Sequence, residues 1–233
     1  MELQILIWTA ISIGFIHTII GPDHYLPFIM IARARKWKLI KTMWVTFFCG
    51  IGHVLGSVLL GVVGVLLGIS VGLLENVESV RGDIASWLLI GFGIAYAAWG
   101  LRIGLRATEH SHKHTHNEND NHQHIHHHLG THAHLHGNPQ SITPWVLFII
   151  FVLGPCEPLI PLLMYPAAQG SWINLIWVTI VFGITTIGTM TLIVFVISKG
   201  LLNIKLGFLE KYSHAIAGLI IALAGLSIKL LGL

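Results

Sequence analysis

The sequence predicts an all-α integral membrane protein. Six transmembrane helices are expected, arranged as two inverted three-helix repeats, with the first and fourth helices broken at Gly-Pro pairs. Three observations carry that expectation. The first is composition: of 233 residues 54% are hydrophobic and only 10% are charged, against about 25% charged in soluble domains. The second is the presence of apolar runs near the roughly 20 residues that a bilayer requires. The third is internal similarity between the two ends of the chain.

The apolar runs cover residues 3–32, 42–68, 85–105, 144–167, 172–198 and 212–232. Backbone polar groups in hydrocarbon must bond within their own segment, so helices are expected for all of them. The opening MELQILIWTA lacks the basic region of a secretory leader and reads as the start of a retained span. Arg33, Arg35, Lys36, Lys38 and Lys41 follow the first span, Arg102 and Arg106 end the third, and Lys199, Lys205 and Lys211 follow the fifth. Glu75, Glu78, Arg81 and Asp83 are read as an acidic loop after the second span. The positive-inside rule then places both termini outside and the long central loop in the cytoplasm of a cell (inner) membrane. The stretch LLNIKLGFLEKYSH before the last span reads either as a short interfacial helix or as a polar linker.

The repeat rests on ordered matches. GIAYAAWGLRIGL from Gly93 and GLIIALAGLSIKL from Gly218 share six of thirteen positions. WVTFFCGI from Trp44 and WVTIVFGI from Trp177 share five of eight. GPDHYLPFIM from Gly21 aligns with GPCEPLIPLLM from Gly154, with one extra residue in the second. The offsets are 133, 133 and 125 residues. An odd number of spans per half forces opposite topology, as in secondary transporters. The expected organisation is a first repeat at 1–106, a His-rich loop at 107–143 and a second repeat at 144–233.

Each break carries polar residues. Proline lacks an N–H and disfavours helical conformation in the residue before it. Asp23 and His24 therefore open a new half-helix, as do Cys156 and Glu157 in the other half. Carboxylates inside a bilayer cost roughly 2.5 kcal/mol or more and are usually functional. Asp23, His24 and Glu157 are thus expected metal ligands, with His17, His53 and Cys156 as further candidates. In a continuous helix His17 and His24 are about 10 Å apart, too far for one ion. Either the break brings them together or His17 is a second station. His53 reads equally as a buried core histidine, and Cys49 as packing; the repeat counterpart of His53 is Thr186. Histidine, carboxylate and thiolate suit first-row transition metals without separating nickel, cobalt, zinc, iron and copper.

Twelve of the sixteen histidines crowd one tract: His110, His112, His114, His116, His122, His124, His126, His127, His128, His132, His134 and His136. Without apolar periodicity the tract is expected to lack regular structure. It is expected to capture, buffer or sense metal. Neither Cys49 nor Cys156 suggests a disulfide framework, and the absence of H-E-x-x-H argues against an intramembrane metalloprotease.

His17, Gly21, Asp23 and His24 stand in the pattern H-x3-G-x-D-H. It resembles the motif of the hydrogenase/urease accessory nickel permeases of the HupE-UreJ type. It is similar to the His-x4-Asp-His motif of nickel/cobalt transporters, here with five intervening residues. A His-rich loop between spans three and four resembles the NicO-type carriers and the UreH-like membrane domains. The broader resemblance is to the LysE-like six-helix superfamily, which includes thiol-disulfide carriers of the CcdA/DsbD kind. The resemblance implies a non-enzymatic transporter of nickel or cobalt, zinc or iron being the other ions considered, working by alternating access at a midplane site. No resident cofactor, no nucleic acid, and a cytoplasmic metal chaperone or maturation protein as partner are the corresponding expectations. GPCEP around Cys156 resembles the proline-flanked cysteine of the electron carriers, which use one cysteine per half. The repeat partner of Cys156 is Asp23, which argues against a redox shuttle. A metal-binding accessory protein without transport is the third reading.

Overall fold

The structure, a computed structural model, describes residues 2–106, 110–116, 120–126, 139–201 and 207–231. The described chain is helical apart from one two-stranded ribbon. Its helices are α1 (Glu2–Ile20), α2 (Leu26–Ala34), α3 (Leu39–Leu66), α4 (Val71–Arg106), α5 (Pro139–Leu153), α6 (Leu159–Ala168), α7 (Trp172–Leu201) and α8 (Ser213–Leu231). Five helical segments are long and apolar enough to cross a membrane: Glu2–Ile20, Leu39–Leu66, Val71–Arg106, Trp172–Leu201 and Leu209–Leu230. Their outward faces carry large apolar side chains such as Trp8, Leu59, Trp87, Ile184 and Leu192, all exposed.

Both Gly-Pro pairs interrupt a helix. After α1, Gly21 is extended (φ −79°, ψ 100°) and Pro22–His24 form one 3-10 turn before α2. In the second half the helix stops at Leu153 and resumes at Leu159. The fourth apolar run is therefore two short helices flanking Gly154-Pro155, the break that the sequence predicts, and each is shorter than the five crossing segments. The acidic segment is a correction. Residues 75–83 are not a loop but lie within the 36-residue α4. Three of their four charges are paired: Arg81 bonds Glu78 at 2.9 Å, and Lys229 of α8 bonds Asp83.

Close packing of α4 on α8 depends on glycine. A Cβ on Gly93 would meet the backbone of Ala222 and Gly218, and a Cβ on Gly218 would meet the backbone of Ala97 and Gly93. Such small-residue contacts let membrane helices approach without a hydrophobic drive. Elsewhere α1 packs on α7, and α3 packs on both α5 and α7. Gly68 (φ 65°) and Gly170 (φ 67°) end α3 and α6 in the left-handed conformation that glycine adopts freely.

The histidine tract also departs from expectation. β1 (His110–His116) pairs antiparallel with β2 (Asp120–His126), with His112 opposite His124 and His114 opposite His122. The tract alternates histidine with other residues, which is the strand period of two carried by polar rather than apolar side chains. His127, His128, His132, His134 and His136 lie outside the described residues. The stretch before the last span contains a 3-10 turn at Gly207–Tyr212.

Candidate metal centre

The first break assembles the site. The N–H of Gly21 donates to the His17 carbonyl at 3.0 Å, closing α1, and the N–H of His24 donates to the Gly21 carbonyl at 3.1 Å. This tight turn replaces the helical rise that would have separated the two histidines. Only glycine fits at its start: a Cβ on Gly21 would lie 2.5 Å from Nδ1 of His24 and 2.8 Å from Oδ1 of Asp23. The rings of His17 and His24 stand 4.7 Å apart, centroid to centroid. His53 enters from α3, with its ring 4.9 Å from His24 and stacked 6.3 Å from His17. Ligand nitrogens of His17, His24 and His53 all lie within 4.8 Å of one another. His24 and His53 are buried and His17 is partly so.

Hydrogen bonds fix the tautomers. Nδ1 of His24 lies 3.2 Å from Oδ1 of Asp23 and 3.2 Å from the Gly21 carbonyl. Nδ1 of His53 lies 3.3 Å from the Phe151 carbonyl. Both partners only accept, so in the neutral rings each Nδ1 carries the proton and donates it. Each Nε2 is then left with its lone pair. The two Nε2 atoms face one another at 3.3 Å. Two lone pairs at that distance repel unless a shared proton or a metal cation lies between them. Metal–nitrogen bonds of about 2.0–2.1 Å in tetrahedral geometry set two ligand nitrogens about 3.3 Å apart. The Asp23–His24 contact has the form of the carboxylate partner that orients metal-bound imidazole.

The remaining candidates are placed as follows. Asp23 and Glu157 line a cavity of about 310 Å³ together with His17 and His24. Glu157 is exposed and stands outside the histidine cluster. Cys156 is fully buried, with Sγ 3.9 Å from Nε2 of His17. Cys49 lies in a different apolar cluster from Cys156.

Sequence reasoning missed the group that holds the second break. Arg81 of α4 donates to the carbonyls of Leu153 (3.3 Å) and Gly154 (2.7 Å), which the end of α5 leaves free. It also donates to Ser57 (2.9 Å) and Glu78 (2.9 Å). Ser57 in turn accepts from the Cys156 N–H at 3.2 Å. The available signal was the i,i+3 pair Glu78–Arg81 beside Gly82, whose absent side chain admits Pro155. His214, also not singled out, pairs with the Tyr96 hydroxyl at 2.8 Å, well away from the cluster in sequence.

Residues 26–227 match the family model described as cytochrome C biogenesis protein transmembrane region. The chain belongs to this family. The match supports the CcdA/DsbD kinship and not the nickel–cobalt group suggested by H-x3-G-x-D-H. That pattern has four fixed positions, whereas the family match spans most of the chain. Cys49, His53, Cys156 and Glu157 fall inside the matched stretch, which begins two residues after His24. No curated protein and no solved structure matches the chain. Family and helices together make this an integral membrane protein in contact with lipid.

Proposed function

We propose that this family member carries a divalent transition-metal ion across the membrane, holding it between His24, His53 and His17. One observation carries the reading: two Nε2 lone pairs face each other at 3.3 Å, with both Nδ1 atoms engaged elsewhere. Asp23 orients His24, and Asp23 and Glu157 draw the cation into the cavity. The donor set fits nickel, cobalt, zinc or iron, nickel and cobalt being the first to try. Cys156, close to His17, is a further donor for a soft ion. The histidine tract collects the ion on the cytoplasmic face, where a metal chaperone or maturation protein exchanges it.

The two halves, 1–106 and 144–233, act as inverted repeats around this site. Reciprocal packing supports the pseudo-two-fold: Gly93 meets Ala222 while Gly218 meets Ala97, and these are the aligned pairs at offset 125. Helix α1 packs on α7 as α5 packs on α3. Rocking of one half against the other gives alternating access. Termini outside and the tract inside follow from the basic loops.

The test is flux into proteoliposomes loaded with a metal-sensitive fluorophore. Nickel or cobalt enters with the wild-type chain, and His24→Ala or His53→Ala lowers the rate by at least about tenfold. Equal flux with and without these histidines refutes the reading.

The family match favours a second reading, a thiol-disulfide carrier using Cys156. Both cysteines are free and sit in separate apolar clusters. Exchange then runs by attack of the Cys156 thiolate on a partner protein's disulfide, which forms a mixed disulfide and releases the partner's other sulfur as a thiol. Trapping of such an adduct at Cys156, in a chain that carries no metal, decides for it.

A further inference from the structure

Serine and threonine hydroxyls in membrane helices ordinarily bond the carbonyl one turn back. Thr9, Thr18, Thr42, Thr179 and Thr185 do so here. Thr46, Thr186, Thr191 and Ser198 do not: their hydroxyl oxygens are buried and make no hydrogen bond. Among the described residues the only other buried side-chain polar atom in that condition is Oε2 of Glu78.

All four hydroxyls lie on α3 or α7, and these helices run antiparallel. A Cβ on Gly50 would touch Ile187 and Met190 at 3.4 Å, and one on Gly183 would touch Val54 at 3.4 Å. That register sets Thr186 level with His53 and Thr191 level with Thr46. Thr46 shares the buried face of α3 with Cys49, Gly50 and His53. It lies about 10 Å along the axis from His53. Ser198 lies about 18 Å along α7 from Thr186, beside Lys199 and near the end of α3 that begins after Lys38. Gly14 of α1 leaves room next to Thr186, where a Cβ would come within 3.1 Å of its hydroxyl oxygen. The row thus starts at the histidine cluster and ends at the basic face.

We propose that the α3–α7 seam is a hydrated path linking the histidine cluster to the basic membrane face, which deepens the transport reading above and rests on it. Buried hydroxyls without protein partners are normally satisfied by ordered water. Water held there in turn solvates a cation leaving the imidazoles. A hydroxyl row suits this better than carboxylates, which would trap a divalent ion.

Two measurements on the full-length chain test it. In radiolytic hydroxyl-radical labelling, Met190, fully buried against Gly50, is oxidised within about tenfold of the rate of the partly exposed Met43, because seam water generates the radical beside it. In the triple variant Thr46→Val, Thr191→Val, Ser198→Ala that labelling is lost and metal flux falls about tenfold. Metal affinity of the cluster stays within about twofold, since no ligand is touched. The substitutions conserve volume and remove only unsatisfied hydroxyls, so folding is retained. A Met190 inert to labelling overturns the path even where wild-type flux is normal; so does undiminished flux in the triple variant. Labelled Met190 with no wild-type metal flux supports the hydrated seam and refutes transport instead.

Discussion

Nε2 of His24 and Nε2 of His53 stand 3.3 Å apart, although 29 residues separate them in sequence. Each ring is held from behind, His24 by Asp23 and the Gly21 carbonyl, His53 by the carbonyl of Phe151. That last contact crosses from α3 to α5, so the second half of the chain sets the tautomer of a histidine in the first. The three imidazoles thus come from α1, the turn before α2, and α3, while α5 supplies the carbonyl that orients one of them.

Removing one imidazole removes a ligand and leaves its partner with an unopposed lone pair. His24→Ala and His53→Ala each weaken binding of nickel or cobalt by more than the about 10–100-fold that loss of a supporting partner costs. Isothermal titration of the purified chain, with the tract histidines replaced by asparagine, reads this directly. His17→Ala has a smaller effect, because His17 is only partly buried and its ring stands further from that of His53.

Asp23→Asn keeps the size of the side chain and removes its charge. The amide still accepts from Nδ1 of His24, but the imidazole becomes a weaker donor to the metal. Affinity falls by about tenfold to 100-fold while the fold is unchanged. Affinity and thermal midpoint measured on the same sample separate this outcome from simple unfolding.

Arg81 satisfies two carbonyls at the end of α5 and neutralises the buried Glu78. Arg81→Ala leaves a buried carboxylate alone and is expected to destabilise by about 3–5 kcal/mol. The double variant Arg81→Met, Glu78→Leu recovers part of that loss, since replacing a buried pair with apolar groups is often neutral. The carbonyls of Leu153 and Gly154 stay unpaired, so recovery is incomplete. Thermal unfolding of the three detergent-solubilised proteins gives the comparison.

Gly93→Val forces a side chain into the backbone of α8 and should cost about 1–3 kcal/mol through overpacking. Gly91→Val, two residues away with nothing within 4 Å, is the control and leaves the thermal midpoint unchanged. Equal effects of the two substitutions would contradict the close α4–α8 approach.

Much of the helical layout was legible because hydrophobic runs and Gly-Pro pairs act locally. Gly21-Pro22 breaks the first helix for a reason contained in those two residues. The membership of His17 in the cluster was not legible, since it depends on the sharpness of the turn at Pro22–His24. The acidic segment misleads because four charges within nine residues read as the end of a span. In the structure Arg81 answers Glu78 and the helix continues. Arg81's bonds to Leu153 and Gly154 connect residues over seventy apart, a pairing that sequence spacing does not reveal. The strands of the histidine tract escaped because their period of two lies in polar residues.

The most direct measurement is X-ray absorption at the metal edge, on a chain whose tract histidines are replaced by asparagine, loaded with one equivalent of nickel or cobalt. The expected spectrum shows at least two imidazole nitrogens at about 2.0–2.1 Å, and it disappears together with the bound metal in His24→Ala, His53→Ala. Retention of the metal by that double variant, or a shell without imidazole, would contradict a cation held between His24 and His53.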